Sequence, residues 1–522
     1  MRNTTLLTKR PAYQKLVEKA QNVLALSDML NSKRIKDFVI QNANWRYHYA
    51  CTHVDHDLLD CFQALVDETE LNEHLHDVMR GVYVNVGEKR AVLHHKTRNQ
   101  TFNEYTEQWE RIKRFVKRVH QADLKSAQNR RFQHVLVIGI GGSHLGVEAM
   151  YHAFKSFCVA TRSHIAMRLH FIANIDPLDL QMALKNIDFD ETLFVVISKS
   201  GSTQEVHENM LALQEYAASN GIKQDQLVEQ MVTVTCRHSP LDNPRMFSQR
   251  FYMDDAIGGR YSLTSAVGAL PLALCFGSRL FDSFLKGAFN MDQAALNTKV
   301  RENSALLDAC IGITQRHVQK CSAHAIIPYT SALQRFPAHL QQLIAESNGK
   351  SVTAYNQPLD YDTAPVIFGE PGTLAQHSFF QQLHQGTDVI PVQFIAFLST
   401  SIQYPKAQHA QDALLANMRA QMMALAMGKH DHNPNKCFQG NRPSTALIAD
   451  CLSPEALGGL LAFYENKVLF EAYLLGINAF DQEGVQLGKV LCQKFLEKKD
   501  LNPLEEAFAN LGKSGSFAKG TV

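Results

Sequence analysis

The stretch "TLFVVISKSGSTQEV", Thr192–Val206, changes its chemical character at Ser198. Before that point it is apolar and rich in β-branched residues, which is typical of a buried strand. After it come Lys199, a glycine and several hydroxyl side chains, which can all serve an anion. The stretch "VLVIGIGGSHLG", Val135–Gly146, makes the same change from strand to glycine-rich loop. Both stretches therefore predict a strand whose carboxyl end leads into an anion-binding loop.

Strand-like runs alternate with helix-length segments from Val135 onwards. The runs that predict strands are VLVIGI, HFIANI, LFVVIS and VTVTC, followed after about residue 300 by AHAIIPY, PVIFGE and DVIPVQFI. Such alternation predicts mainly parallel sheets covered on both faces by helices. In "LSPEALGG", Ser453 and Pro454 predict the N-cap and the first turn of a long helix. The fold class is therefore expected to be α/β.

Residues 1 to about 130 are expected to form helices and loops. The segment "YTEQWERIKRFVKRVHQA" places an apolar stripe on one helix face, formed by Trp109, Ile112, Phe115, Val116 and Val119. The predicted organisation is an N-terminal helical extension over 1–120, a first α/β domain over 121–285, a second over 286–500, and a C-terminal tail over 501–522. The last residues of the tail, FAKGTV, are expected to be mobile.

The composition limits the function classes. The chain has 522 residues with a formal net charge of +1, so no nucleic-acid partner is indicated. Its ten cysteines contain no CxxC pair, which argues against a disulfide scaffold or a zinc site and fits a reducing compartment. The N-terminus lacks a signal-peptide core, and no apolar run is long enough to span a bilayer. The expected location is the cytoplasm, without a membrane partner.

The two glycine-rich loops are the candidate phosphate site. In a parallel sheet, ligands bind beyond the carboxyl ends of strands, where helix N-termini attract phosphate. Neither loop has the dinucleotide fingerprint or the Walker pattern. Gly139, Gly141 and Gly142 would let the backbone fold close to an anion. The side chains that can add donors or charge are Ser143, Ser198, Lys199, Ser200, Ser202 and Thr203. Two such loops in one sheet predict a phosphorylated small molecule as the ligand.

Residues that can take part in catalysis stand in four other glycine-marked segments. They are Arg260 in "DDAIGGRYSLTSAVG", Gln342 and Glu346 in "QQLIAESNGKS", His377 in "FGEPGTLAQHSFFQQLHQGTD", and Gln482 and Lys489 in "NAFDQEGVQLGKVL". Each alone is typical of a solvated or structural side chain. Together with two phosphate loops, they predict an active site.

The motifs GIGGS, SKSGST-Q-E, GGRYSLTSAVG, ESNGK, GEPGT–QHSF–QLHQGT and FDQ-GV-LGK occur in this order. These motifs and their order make the chain resemble the phosphoglucose isomerase family over roughly residues 85 to 495. The resemblance implies two sugar-isomerase domains, each an αβα sandwich with a mainly parallel sheet. It also implies a homodimeric aldose–ketose isomerase, without metal or cofactor, that interconverts glucose 6-phosphate and fructose 6-phosphate. The chain departs from the family pattern at Leu374-Ala375 and at Gln486.

The resemblance also assigns roles. Glu346 is similar in position to the family's proton-transfer base, and His377 to its ring-opening acid/base, which reaches the neighbouring subunit's site. Lys489 resembles the lysine near the ring oxygen, and Arg260 the arginine beside the enediolate. The residues that match the phosphate site are Gly142, Ser143, Ser198, Lys199, Ser200 and Thr203, and those that match substrate-contacting glutamines are Gln342 and Gln482.

Other functions stay open on the sequence. A related enzyme could act on both glucose and mannose 6-phosphate, a choice that one sequence does not make. A sugar-phosphate sensor without catalysis would also use such domains, although the chain lacks a DNA-binding segment and keeps the presumed catalytic side chains. A secreted signalling role would need an export signal, which the sequence does not offer.

Overall fold

The computed structural model describes residues 5–22, 24–99, 101 and 103–512, so that the predicted mobility of FAKGTV lies outside the described residues. The chain divides into two units, Met1–Ala479 and Phe480–Val522. The strands of the first unit are β1 (Val39–Asn42), β2 (Trp45–His48), β3 (Tyr83–Asn85), β4 (Arg90–Ala91), β5 (His134–Ile138), β6 (Arg168–Ile172), β7 (Thr192–Ile197), β8 (Met231–Thr235), β9 (Gln249–Tyr252), β10 (Ala323–Pro328), β11 (Val366–Phe368), β12 (Val392–Ser399) and β13 (Ser444–Cys451).

Helices precede, separate and cover these strands. Those of the first unit are α1 (Pro11–Gln21), α2 (Leu26–Met29), α3 (Ser32–Asp37), α4 (His56–Glu68), α5 (Leu71–Arg80), α6 (Glu104–His120), α7 (Leu145–Thr161), α8 (Pro177–Lys185), α9 (Gln204–Ser219), α10 (Gln224–Glu229), α11 (Ala266–Phe276), α12 (Ser278–Ala295), α13 (Ser304–His317), α14 (Phe336–Asn348), α15 (Gly372–Gln376), α16 (Phe380–Gln385), α17 (Ala407–Met427) and α18 (Pro454–Leu474). The second unit contains α19 (Gln486–Glu497) and α20 (Pro503–Ala509).

The first large sheet is wholly parallel and has the strand order β6-β5-β7-β8-β9. Its central strands β5 and β7 are buried along their whole length. This explains their continuous apolar sequences, because a strand covered by helices on both faces has no polar side. From β5 the chain continues to β6 on one side of β5 and then crosses to β7 on the other side. In such sheets a ligand crevice opens where the direction of winding changes, here beyond the carboxyl ends of β5 and β7.

The second large sheet has the order β1-β2-β13-β12-β10-β11 and is parallel from β13 to β11. Its other edge is the antiparallel hairpin β1–β2, which pairs with β13. The expectation that residues 1–130 form helices and loops is therefore wrong at this hairpin, and also at the small antiparallel pair β3–β4. Trp45 and Tyr47 point into the core and alternate with Arg46 and His48. Four alternating residues are too short a pattern to stand out from the sequence.

The two large sheets confirm the predicted α/β class, although β9 and β13 were not predicted. The apolar stripe of α6 is buried as expected. Helix α18 begins as predicted, with Ser453 Oγ accepting a hydrogen bond from the Ala456 N–H over 3.1 Å.

The predicted domain boundaries stay predictions; the one at 285/286 falls inside α12. Among the described residues, no helix combines the length and apolarity that crossing a bilayer requires.

Candidate active site

The loops after β5 and β7 lie side by side at the crevice of the first sheet. A Cβ atom placed on Gly139, directly after β5, would lie 3.3 Å from the carbonyl oxygen of Ile197, the last residue of β7. Each loop leads into a helix of more than fifteen residues, α7 or α9. Helix N-termini present unpaired N–H groups and the positive end of the helix dipole. The crevice therefore has two neighbouring sources of anion-binding donors.

The second loop holds its hydroxyl groups in a compact turn. Ser198 Oγ lies 2.9 Å from Thr203 Oγ1 and accepts a hydrogen bond from the Gly201 N–H over 3.1 Å. Ser200 Oγ accepts a hydrogen bond from the Ser202 N–H over 3.2 Å. Gly201 has a φ of +67°, a conformation that favours glycine. Thr203 is the N-cap of α9, and its side chain makes no capping bond; its hydroxyl contacts Ser198 instead.

Lys199 is held at the edge of this loop by Asp255. Its Nζ donates a hydrogen bond to the Asp255 carbonyl oxygen over 2.6 Å and lies 3.4 Å from the Asp255 carboxylate. Burial acts to raise the pKa of Asp255, but the cations Lys199 and Arg90 outweigh it and hold that pKa below its ordinary value. The candidate site therefore contains an ionised carboxylate beside its lysine at neutral pH.

Arg260 is buried, and each of its three guanidinium nitrogens donates a hydrogen bond. It lies in the turn Gly259–Tyr261 with 2% of its surface exposed. Its Nε donates to Ser347 Oγ over 2.7 Å, and its Nη1 donates to Glu346 Oε2 over 3.1 Å. Its Nη2 donates to the Ala479 carbonyl oxygen over 2.5 Å. Since these bonds fix the guanidinium plane, a permanent positive charge stands directly beside the Glu346 carboxylate.

Glu346 and Gln342 lie one turn apart on α14, as their spacing predicted. Gln342 Nε2 donates to Glu346 Oε1 over 3.0 Å, so both carboxylate oxygens of Glu346 are held. A Cβ atom on Gly141 in the first loop would lie 3.2 Å from Gln342 Nε2. Gln342 Oε1 is buried without a hydrogen-bond partner among the described residues. The Glu346 side chain is 28% exposed, so a ligand can still reach it.

The first loop also touches the turn that carries Arg260. A Cβ atom on Gly142 would lie 2.2 Å from the carbonyl carbon of Gly259 and 2.7 Å from the nitrogen of Arg260. Two backbones can approach this closely because Gly142 has no side chain. Ser143 ends the same turn of the first loop. One cluster in the first unit thus contains Gly142, Ser143, Ser198, Lys199, Ser200, Thr203, Arg260, Gln342 and Glu346.

Of the other three predicted residues, one lies elsewhere in the first unit and two belong to the second unit. His377 follows α15 and is exposed; its backbone N–H bonds the Leu374 carbonyl oxygen, and its ring makes no hydrogen bond with the described residues. Gln482 and Lys489 belong to the second unit, where Gln482 precedes the turn Glu483–Val485 and Lys489 lies in α19. Both of these side chains are exposed.

Several contacts at the cluster involve residues that the sequence did not single out. Ser347 accepts from Arg260 and lies 2.8 Å from the Tyr261 hydroxyl. Lys350 Nζ donates to the carbonyl oxygens of Glu346 and Ser347, over 2.6 and 3.0 Å. Each of these residues is a near sequence neighbour of a predicted one. The sequence could have indicated them only as neighbours of predicted residues, because their contacts join segments that are far apart in the chain.

The arrangement combines two capabilities. A carboxylate held by a guanidinium and an amide can take up and return a proton while the guanidinium stabilises negative charge nearby. The adjacent loops can hold an anionic group of the same molecule, which would orient its reacting end. The geometry fits proton transfer within a small phosphorylated substrate.

Comparisons with known proteins point the same way. A family model described as phosphoglucose isomerase matches residues 48–511. A glucose-6-phosphate isomerase of Treponema denticola is 45% identical over 511 residues, which cover 94% of this chain and 95% of that protein. One from Chlamydia pneumoniae is 40% identical over 496 residues, covering 92% and 93%. The crystal structure of a glucose-6-phosphate isomerase from Chlamydia trachomatis matches with a TM-score of 0.89 at 36% identity, covering 97% of this chain and 99% of that one.

Proposed function

The chain belongs to the phosphoglucose isomerase family and has glucose-6-phosphate isomerase activity, and from this premise we propose that the cluster around Glu346 is its active site. The resemblance seen in the sequence is thereby confirmed at the level of the family. The observation that carries the site proposal is the Glu346 carboxylate, bonded by Arg260 and Gln342, which both lie against the first glycine-rich loop. The reaction interconverts glucose 6-phosphate and fructose 6-phosphate through a cis-enediol intermediate.

Glu346 is the base that moves the proton between C2 and C1. Arg260 and Gln342 each hold one of its oxygens, so the carboxylate is oriented before the substrate arrives. The enediolate carries negative charge next to this carboxylate, and Arg260 stabilises that charge without losing a proton itself. The buried Gln342 Oε1 is an acceptor for a sugar hydroxyl.

The two loops bind the phosphate group at the other end of the sugar. Lys199 supplies charge, and the side-chain and backbone donors of Gly142, Ser143, Ser198, Ser200 and Thr203 supply hydrogen bonds. Because the phosphate takes no part in bond breaking, its binding energy serves to orient C1 and C2 against Glu346.

His377 and Lys489 open the sugar ring before proton transfer, and Gln482 contacts the substrate. The His377 side chain is exposed, so a second subunit can reach it, and we place it in the neighbouring subunit's site. This makes the homodimer part of the proposal. No metal or cofactor enters it. Ten free cysteines support the expected cytoplasmic location.

The decisive experiment replaces Glu346 with glutamine, which keeps the shape and removes the base. We expect kcat to fall by about 10³-fold or more, while the inhibition constant of inorganic phosphate changes less than about threefold, because the loops are untouched. Anomer interconversion of fructose 6-phosphate should persist, since ring opening belongs to other residues. In deuterated water the wild type should place label at C2 of the glucose 6-phosphate formed.

A matched control is Glu110→Gln, at a position far from Glu346 in the sequence. It removes an exposed carboxylate on α6 that is paired with Lys113. It should leave kcat, the inhibition constant of phosphate, the interconversion of anomers and the deuterium labelling unchanged. A Glu346→Gln enzyme that exchanges the C2 proton near the wild-type rate would contradict the assignment. Assaying mannose 6-phosphate beside glucose 6-phosphate separates the single from the dual specificity. The alternative of a sensor without catalysis is set aside by the activity that the family assignment gives.

A further inference from the structure

Arg90 stands beside the lysine of the second loop, although no motif marked it. Arg90 Nη1 donates a hydrogen bond to the Asp255 carbonyl oxygen over 2.9 Å. Lys199 Nζ donates to the same oxygen over 2.6 Å. Because both bond one atom, the two cationic groups are close neighbours. Each is also paired with the Asp255 carboxylate, Lys199 through Oδ1 and Arg90 through Oδ2.

The exposure of the three side chains shows which group faces solvent. The Lys199 and Arg90 side chains are 28% and 29% exposed, whereas the Asp255 side chain is 68% exposed. The carboxylate therefore caps two more deeply placed cations from the open side. Arg90 Nε is also paired with Glu88 over 2.8 Å, while Arg90 Nη2 donates no hydrogen bond among the described residues.

We propose that Arg90 is a second cationic residue of the phosphate site, and that the Asp255 carboxylate neutralises Arg90 and Lys199 until a sugar phosphate displaces it. The inference rests on the proposed function, which places Lys199 in the phosphate site. It adds a residue and a competing internal anion that the family motifs do not name.

Charge and geometry both favour the exchange. A sugar phosphate dianion carries about twice the charge of a carboxylate and offers three acceptor oxygens, so it satisfies two neighbouring cations better than Asp255 does. An exposed aspartate can move into water once it is displaced, at little desolvation cost. Asp255 also lies in the segment that leads to the Gly259–Tyr261 turn. Its carboxylate is therefore displaced from Arg90 and Lys199 at a position only five residues before Arg260 in the sequence.

The test measures the inhibition constant of inorganic phosphate against fructose 6-phosphate in four forms of the full enzyme. These are the wild type, Arg90→Gln, Asp255→Ala and the double variant. We expect Arg90→Gln to raise the constant about 5- to 20-fold, because a charge-assisted contact is lost. Asp255→Ala should lower it about 3- to 10-fold, because the competing anion is gone. The Arg90→Gln effect should persist in the Asp255→Ala background.

The double variant separates a phosphate-binding role from a structural one. If Arg90 merely pins Asp255, its replacement has no effect once Asp255 is absent, and the proposal is wrong. Arg90→Lys keeps the charge but loses the fork that bridges Glu88 and Asp255, so it should stay within about threefold of the wild type. Thermal unfolding checks each variant's fold, and Asp255→Ala tests the displaced anion even if Arg90→Gln fails to fold.

Two further variants complete the experiment. Arg301→Gln breaks an exposed ion pair with Asp60 at another place in the fold and should leave the inhibition constant unchanged. Lys199→Gln tests the proposed function itself and should raise the constant at least about tenfold. If Lys199→Gln has no effect, the phosphate site is misassigned. If Lys199→Gln acts while Arg90→Gln and Asp255→Ala do not, the inference about Arg90 and Asp255 alone is overturned.

Discussion

The close approach of Gly142 to the Gly259–Tyr261 turn shows what a single residue contributes to the site. The sequence placed Gly142 in a phosphate loop and Arg260 in a separate glycine-marked segment. It could not show that the two backbones touch, because such a contact depends on how the chain packs between them. Local patterns such as strand–glycine–helix are visible in a sequence. Contacts of Ser347 with Arg260, or of Asp255 with Lys199, follow from tertiary packing and are not.

At this scale we predict that Gly142→Ala disrupts catalysis by displacing Arg260. The added Cβ would lie within 2.3 Å of the carbonyl group of Gly259, so the turn must shift. Misplacing a catalytic group by about 1 Å can cost 10²-fold, and we expect kcat/KM to fall about 10- to 100-fold. Steady-state assays with fructose 6-phosphate give this value.

Gly259→Ala is the matched control for this prediction. Among the described residues outside its chain neighbours, the nearest atom to a Cβ placed there is the Cα of Gly142, at 3.8 Å, although the substitution adds the same methyl group to the same interface. We expect this variant to keep kcat/KM within about threefold of the wild type, as an ordinary van der Waals contact allows. Equal losses in both variants would contradict a role for the close approach.

At the scale of elements, helix α14 is anchored behind the site by a buried polar network. Asn348, its last residue, donates a hydrogen bond to Glu471 Oε2 of α18 over 3.0 Å. Lys467 Nζ lies 2.7 Å from the Asp308 carboxylate of α13 and 3.8 Å from Glu471. Burial raises the pKa of Glu471 to about 7, with Lys467 opposing the shift and Asp308 adding to it. The end of α14 that carries Glu346 is thus fixed to a carboxyl group that titrates near neutrality.

This network makes stability depend on pH in a defined direction. The folded protein keeps a proton on Glu471 between its ordinary pKa, 4.5, and about 7, where the unfolded chain has lost it. The contribution is therefore fully present below pH 4.5 and is lost as pH rises towards and through 7. We predict that Glu471→Gln, which cannot ionise, gains about 1–3 kcal/mol over the wild type at pH 8 relative to pH 5.

Thermal and urea unfolding at both pH values provide the measurement. Glu215→Gln on α9, an exposed carboxylate, is the control and should follow the wild type at both pH values. Stability differences for Glu471→Gln that are equal at pH 5 and pH 8 would show that Glu471 does not hold its proton in the folded state.

The strands show where sequence patterns were sufficient to predict secondary structure. Buried parallel strands such as β5 and β7 were predicted because an uninterrupted apolar run, rich in β-branched residues and followed by glycine or serine, is typical of a strand covered on both faces. The hairpin β1–β2 was missed because Trp45 and Tyr47 become core residues through pairing with β13, far along the chain. Short edge strands depend on such partners, and their own sequences carry little information.

At the scale of the whole molecule, the proposal requires two subunits to build one site. We predict that mixing His377→Ala subunits with Glu346→Gln subunits restores activity. In each hybrid dimer one site receives the intact Glu346 of one chain and the intact His377 of the other. With equal amounts and free exchange, about half of the dimers are hybrids with one working site, so about a quarter of the wild-type activity should return.

Native mass spectrometry of the mixture confirms that subunits have exchanged, and each variant alone provides the inactive baseline. Activity that stays at the baseline after confirmed exchange would place His377 in the site of its own subunit. Mixing either variant with itself, under the same exchange conditions, should restore nothing.

The pairing of β1–β2 with β13 also bears on how the protein is made. The strand that pairs with the hairpin, Ser444–Cys451, is synthesised about 400 residues after it. At about 5–20 residues per second, that interval is roughly 20–80 seconds. The first sheet, by contrast, has all its strands between residues 134 and 252 and can assemble while synthesis continues. The nascent chain therefore carries an unpaired hairpin edge throughout that interval, and the edge can pair wrongly with other chains until β13 has emerged.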